Sequence, residues 1–329
     1  MDRFIYIFIT IIYMTIPACS CQDDSGHAVT LKRFDRELLK AMSDDTGILP
    51  NNYIPILKIY ATGIIKCSLP GDSTDKMVSD LKSVYASAKG FGQLYGDTEN
   101  IFYDTSDIEK ELSCGAKRYL SIFPGSYFPE IYTHVSGFSQ SIITADSIMS
   151  IALDNYLGKE YKGYKGVFFD YQLKNRERSR IVPDIFTVCL YEAFPYNVKK
   201  RQVIDGMIYE GCIIYAISRI LPNRSISEIM NYSDELMEWC EENERNIWAY
   251  MVKSEHLYSS DPLIYSKYMN DAPYTSFFGK GSPDRLGIWL GYKIIESYIK
   301  SSNSDSILTE LLSGKYETAE ILTNSKYGN

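Results

Sequence analysis

The sequence predicts an α+β fold, mainly helical with one small antiparallel sheet, and three observations carry that reading. Long stretches repeat apolar residues every three or four positions, the spacing of one helical face. Between about 131 and 153, short runs rich in β-branched and aromatic residues replace that period. The composition permits a packed core, with 45% of the 329 residues apolar and 23% charged, ordinary values for a globular chain. Length alone admits one large domain or two modest ones. Proline and glycine are scattered and no repeat or low-complexity tract divides the chain, so a single domain over 31–329 is expected.

The first residues read as an address. Asp2 and Arg3 precede an apolar run from Phe4 to Ile16, which ends at Pro17-Ala18-Cys19-Ser20-Cys21. That run is too short to span a bilayer comfortably and has the length of a secretory apolar region. A cysteine directly after a small residue is what bacterial lipoprotein processing requires, because its acylated thiol becomes the new N-terminus. Residues 1–18 are therefore read as a lipoprotein signal peptide, Cys19 as the lipidated residue with Cys21 as the alternative, and 19–30 as the lipidated cysteine and a flexible acidic tether containing His27. The expected partner is the membrane, through the N-terminal lipid, and the expected location is the cell envelope, at the outer membrane, facing either side.

The elements follow in order. Leu31 to Ala41 reads as a helix, and Asp72 to Tyr95 as another, with Asp72 or Ser73 as N-cap. Asp107 to Phe123 is helical and stops at Phe123-Pro124-Gly125. Ile131 to Phe138, Ile142-Ile143 and Ser147 to Leu153 form the antiparallel meander, with a turn at Ala145-Asp146 and a loop over Asp154 to Gly158. Five helices complete the chain: Arg178 to Ala193, Lys200 to Leu221, Asp234 to Ser254, Pro283 to Lys300 and Ser304 to Leu312. Ser282 is expected to cap the fourth of these, with Pro283 at its first position. Gly287 and Gly291, four apart, would let another element pack close. Helices around one small sheet make the α+β class.

Charge narrows the function. The formal net charge is −8, and it stays −8 after residues 1–18 are removed, because Asp2 and Arg3 cancel. A nucleic-acid partner is not expected, since tracking phosphates needs a cationic footprint. Outside the signal region five cysteines remain, Cys67, Cys114, Cys189, Cys212 and Cys240. None are in CxxC spacing, so no zinc ribbon or thioredoxin-like motif is present; an odd count leaves at least one unpaired in the monomer. The 28 tyrosines suit either a wet binding surface or a core with polar edges.

Two carboxylates fall on apolar stripes. Val203, Met207, Glu210, Ile214, Ile217 and Leu221 follow one another at spacings of 4, 3, 4, 3 and 4, so Glu210 sits among core residues. A buried carboxylate must be paired, hydrogen-bonded, protonated or ligand-bound. Gly211 beside it weakens a helix and is easiest to explain if something approaches the backbone closely there. Ile181, Ile185, Val188 and Glu192 form a similar row on the preceding helix, and a short connection would bring Glu192 and Glu210 toward one region. Pairing with an arginine such as Arg176, Arg178, Arg180 or Arg201, or with a tyrosine, is the structural alternative to chemistry.

Several segments read together resemble the gliding-motility lipoprotein B (GldB) family of Bacteroidetes. They are Arg33-Phe34-Asp35, Leu94-Tyr95-Gly96-Asp97, Phe128-Pro129-Glu130-Ile131-Tyr132 with Ser136-Gly137-Phe138, Leu153 to Gly158, Met207 to Gly211, Asn243-Glu244 with Ile247-Trp248, and Ser282 to Gly291. They cover nearly the whole mature chain in order. The resemblance implies a zincin-like domain, related to zinc peptidases whose HExxH helix is followed by a helix carrying a Glu-Gly pair. Glu210-Gly211 would take the place of that pair. The nearest window for HExxH is Tyr191-Glu192-Ala193-Phe194-Pro195, and both histidines are missing from it; tyrosine and proline cannot replace two imidazoles.

What the resemblance implies is a lipid-anchored envelope protein with a degenerate metallopeptidase-like domain and no metal or other cofactor. Its role would be binding or scaffolding among envelope proteins, in gliding motility or a related process, and not catalysis. Glu192, Glu210, His134 and Asp154 are the candidate site residues should chemistry remain. The alternatives are an envelope hydrolase of peptide or cell-wall amides using Glu192 or Glu210 as general base, and a surface glycan-binding lipoprotein suggested by the tyrosines. His256, after a helix end, reads as commonplace.

Overall fold

A computed structural model describes residues 28–43, 48–196, 201–302 and 307–327. The expected signal peptide, Cys19, Cys21 and most of the tether with His27 lie outside the described residues.

The first helices, α1 (Phe34–Ser43), α2 (Ile54–Ile59) and α3 (Thr74–Ser87), close a small core around Phe34, Leu38, Ile56, Tyr60, Met77 and Leu81. Ser73 caps α3 by accepting from the Lys76 amide at 3.3 Å. The single helix expected from Asp72 to Tyr95 is two. The chain leaves α3 at Ala88 and restarts as α4 (Phe91–Ile101), because Gly90 takes φ +87°, a left-handed conformation that ends helices. α5 (Ser106–Ile122) then crosses to the larger core through Ile108, Leu112 and Tyr119.

The sheet holds β1 (Glu130–His134), β2 (Ile142–Ala145) and β3 (Ile148–Ala152) in the order β1-β3-β2, so the expectation of an antiparallel sheet is corrected to a mixed one. A tight turn at Asp146, φ +51°, makes β2 antiparallel to β3. β3 then returns between its neighbours and runs parallel to β1, with Ile131 opposite Met149 and His134 opposite Ala152. The outer edge of β1 is covered by Lys32, whose amide donates to Ile131 O at 2.8 Å and whose carbonyl accepts from Thr133 N at 3.1 Å. β1 also stops four residues earlier than expected, at His134. Gly137 and Phe138 have positive φ and turn the chain around Asp154. The expected loop over Asp154–Gly158 begins as a buried helical turn, Leu153–Tyr156.

The rest is helical: α6 (Asp170–Leu173), α7 (Ile181–Ala193), α8 (Val203–Ile220), α9 (Ile226–Met230), α10 (Asp234–Lys253), α11 (Pro262–Met269), α12 (Leu286–Ser302), α13 (Ile307–Leu312) and α14 (Thr318–Ser325). α8 is buried almost all round, the sign of a helix at the centre of a core. Its closest neighbour is α12. A Cβ placed on Gly211 would lie 2.2 Å from the Gly291 carbonyl carbon, and one on Gly291 would lie 1.8 Å from Met207 O. The two backbones touch, which accounts for Gly211 and Gly291 as expected. The expected cap is corrected: Ser282 Oγ donates to Gly279 O at 2.8 Å and Thr275 O at 3.1 Å. Arg285, at φ +53°, reverses the chain before α12 begins at Leu286.

Candidate functional site

A cavity of about 700 Å³ forms a cleft between β2 and one face of α7. Gln140 to Thr144 form one wall and Asp184, Thr187 and Val188 the other, with Tyr156, Asn175, Arg176, Arg180, Asp271 and Arg285 closing it. Three arginines and two aspartates line it, a formal charge of +1 in a chain of net charge −8.

Each arginine is held in place. Arg180 donates to Glu228 O at 2.9 Å, Ile229 O at 3.0 Å and Asp184 Oδ1 at 2.8 Å, while the Tyr156 hydroxyl donates to Asp184 Oδ2 at 3.1 Å. Arg285 donates to Met230 O at 2.6 Å, and its Nε lies 3.1 Å from Asp271 Oδ1 and 3.6 Å from Asp284 Oδ2. Burial works against the Arg285 charge, and Asp284, Tyr232, Asp271 and Asp184 more than offset it, leaving its pKa above the ordinary value. Arg176 is different. It donates to Ser141 Oγ at 3.0 Å and Asn155 Oδ1 at 3.1 Å and stacks 4.0 Å from the Phe168 ring centroid. Among the described residues it meets no carboxylate; its buried Nε, like that of Arg285, makes no hydrogen bond.

The four residues singled out from the sequence do not converge on this cleft. Glu210 is mostly covered, as its stripe required, and accepts from the Tyr191 hydroxyl at 2.8 Å. Burial raises its pKa, against the Tyr191 bond and the Arg285 charge. Glu192 is exposed, which corrects its placement near the buried face: it is in the last turn of α7, where the helix leaves the core, and it lines a separate cavity with Tyr119, Ser126 and Cys189. The window Tyr191–Pro195 is corrected on the same ground. α7 ends at Ala193, so Pro195 is outside the helix and cannot share a face with Tyr191.

Asp154 is completely buried and organises backbone. Its carboxylate accepts from the amides of Ser136 and Phe138, each at 2.8 Å, and from Ser136 Oγ. Burial raises its pKa, and these bonds oppose the rise. His134 is equally buried; its Nδ1 lies 2.8 Å from Ser150 Oγ while Nε2 makes no hydrogen bond. Burial pushes its pKa down to about 3, against a small opposing effect of Asp35.

That depression has a sign. The unfolded chain takes up a proton on His134 from about pH 6.5 downward, which the folded chain refuses until about pH 3. The stability His134 contributes is complete above pH 6.5 and is lost as pH falls, by up to about 1.4 kcal/mol per unit. The unfolding free energy of the wild type, from urea denaturation, is therefore expected to fall from pH 7 to pH 5 by about 2 kcal/mol more than that of His134→Gln. Parallel pH profiles for the two proteins would refute this.

Cys67, Cys189, Cys212 and Cys240 are free thiols. Burial pushes Cys189 up to about 12, an inert thiol of the buried kind. Tyr60, Tyr119, Tyr132, Tyr156, Tyr164 and Tyr268 are almost wholly buried, and so belong to packing with polar edges. His256 lies 2.9 Å from the Tyr268 hydroxyl in an aromatic cluster with Tyr250 and Phe277. Among the described residues, no three His, Cys, Asp or Glu side chains gather where they could hold a metal ion, and no helix is long and apolar enough to cross a membrane.

Sequence reasoning named Arg176 and Arg180 only as partners for the acids, and missed Arg285, Asp184 and Asp271 as cleft residues. The one local signal was Arg180 and Asp184 at helical spacing. The family model described as "Gliding motility protein GldB" matches residues 21–329. The chain belongs to this family. GldB proteins are gliding-motility lipoproteins, so the resemblance read from Arg33-Phe34-Asp35 through Ser282–Gly291 holds across the described chain. No curated protein and no solved structure matches it.

Proposed function

We propose that this GldB protein is a lipid-anchored component of the cell envelope, attached at the outer membrane through Cys19 or Cys21, with residues 31–329 as one domain. It acts in gliding or a related envelope process by binding a ligand in the arginine cleft, without catalysis. The observation that carries this reading is the contact between Tyr191 and Glu210. In a peptidase of HExxH type, the glutamate of the second helix and an imidazole of the first hold one metal ion. Here a phenol faces Glu210, and one turn earlier on the cleft wall stands Thr187. The four-residue spacing of the two lost imidazoles thus falls on Thr187 and Tyr191, of which Thr187 lines the cleft. The domain is then a degenerate relative of such peptidases that kept a binding groove.

Complementation of a strain lacking the protein tests this reading, scored by spreading on agar with protein abundance followed by immunoblot. Glu210→Gln is expected to restore function within about twofold of wild type, and Arg176→Gln at equal abundance to leave less than a tenth of it. The reverse pattern would favour a hydrolase that uses Glu210 and would overturn the binding reading.

A further inference from the structure

We infer that the cleft takes an extended peptide bearing a carboxylate, which adds as a further strand along the free edge of β2 with its carboxylate on Arg176. The inference rests on the binding reading above and supplies the chemistry of the ligand.

The shape of the wall comes first. Gln140 to Thr144 line the cleft as five consecutive residues. Side chains alternate between the two faces of a strand, so a cavity touched by consecutive positions runs along the strand's edge. Ile142 accordingly packs on the larger core and Ile143 on the smaller, and what the segment offers the cleft is main chain.

The register then says which groups are offered. Ala152 N donates to Ser141 O at 2.8 Å, and Ile142 stands opposite Ile151, so Ser141 and Ala152 form a hydrogen-bonded pair. In an antiparallel ladder such pairs alternate. Ile143 and Ala145 therefore turn their amides and carbonyls toward β3, while Ile142 and Thr144 turn theirs outward. β2 is an edge strand, and whereas Lys32 covers the other edge of the sheet, among the described residues nothing pairs with this one. Unpaired strand edges are templates for an added strand, with main-chain bonds supplying affinity and side-chain contacts supplying selection.

Charge selects the occupant. Arg180 and Arg285 are committed to Asp184 and Asp271, so the uncompensated cation is Arg176, fixed by neutral partners and by the Phe168 ring. Its bond to Ser141 Oγ places the guanidinium one residue before β2. A strand laid on Ile142 and Thr144 passes this group, and a carboxylate there gains a charge-assisted bond that an uncharged side chain does not.

The test uses two pools of fluorescein-labelled, C-terminally amidated nonapeptides, random in uncharged residues around a central glutamate or a central glutamine. The glutamate pool is expected to bind the full-length protein at least tenfold more tightly by fluorescence anisotropy. That advantage is expected to vanish in Arg176→Gln. Hydrogen exchange is expected to slow at the amides of Ile142 and Thr144 when the pool is bound. Thr144→Pro, which removes an outward amide, is expected to weaken binding at least tenfold. Glutamate peptides N-methylated at alternate amides are expected to lose binding to the wild type, a readout that needs no variant to fold. Binding without protection of β2, equal binding of both pools, or binding of polygalacturonate in place of peptides would each overturn the inference. If no peptide binds while Arg176→Gln still fails to complement, this inference falls and the binding reading stands. If Arg176→Gln also complements, both fall.

Discussion

Gly291→Val is expected to destabilise the protein by about 4 kcal/mol or more, or to prevent its accumulation. The reason is the α8–α12 contact, where even a methyl group on Gly291 would fall 1.8 Å from Met207 O and 2.5 Å from its carbonyl carbon. Backbone cannot rotate away as a side chain can, so the helices must separate, and both carry buried residues along most of their length. Gly211→Ala meets the same obstacle from the opposite side, at 2.2 Å. Gly96 in α4 provides the control, because a Cβ there meets nothing within 4 Å. Gly96→Ala is expected to stabilise by about 0.5–1 kcal/mol, through the lower entropy of the unfolded chain. Urea denaturation of the three variants checks the set. A Gly291→Val protein as stable as wild type would mean that the two helices do not touch.

Asp154→Ala is expected to cost about 3 kcal/mol or more. The substitution leaves the amides of Ser136 and Phe138 and the Ser136 hydroxyl without their carboxylate partner, and each buried donor left unpaired costs about 1–3 kcal/mol. The turn they hold includes Gly137 and Phe138 at positive φ, and its other supports are the bonds Asn155 makes to Ser136 Oγ and Ser139 O and the packing of Phe138 on Tyr161, Tyr164 and Phe168. Asp154→Asn retains one acceptor oxygen and is expected to fall between. A catalytic aspartate behaves otherwise, with function abolished in both variants and stability barely changed. The urea midpoints read beside complementation separate the two roles.

The fold was legible where one rule decided it. α5, α7, α8 and α10 each carry a long apolar period, and the structure puts their boundaries within a few residues of those expected. It was not legible where a single backbone angle decided it. Gly90 divides one apolar period into two helices without interrupting the pattern, and Arg285 starts α12 after a proline that reads as its first residue. The parallel pairing of β1 with β3 depends on which strand lies in the middle, and the strand sequences do not state that. The site divided in the same way. Glu210 was visible because a carboxylate on an apolar stripe is a local contradiction. Glu192 misled because the stripe continues into the last turn of α7 after the core has ended. The cleft itself was invisible in one dimension, since Arg176, Arg180, Asp271 and Arg285 come from separate segments and meet only once β2 and α7 are set face to face.

The cover that Lys32 gives β1 has a mechanical consequence. Among the described residues, a pull on the N-terminal segment is first felt by the bond from Val29 N to Ser113 Oγ and the bond from Leu31 N to Glu109 Oε1, and then by the two bonds between Lys32 and β1. Behind them stands the Arg33–Asp35 pair, buried and tied to Phe102 O and to Thr133. Load applied at that end is therefore shared from the outset between α5, the end of α4 and the sheet, and α1 cannot be peeled away until those links have failed together. Traction applied at that end is delivered into the sheet whose opposite edge lines the cleft.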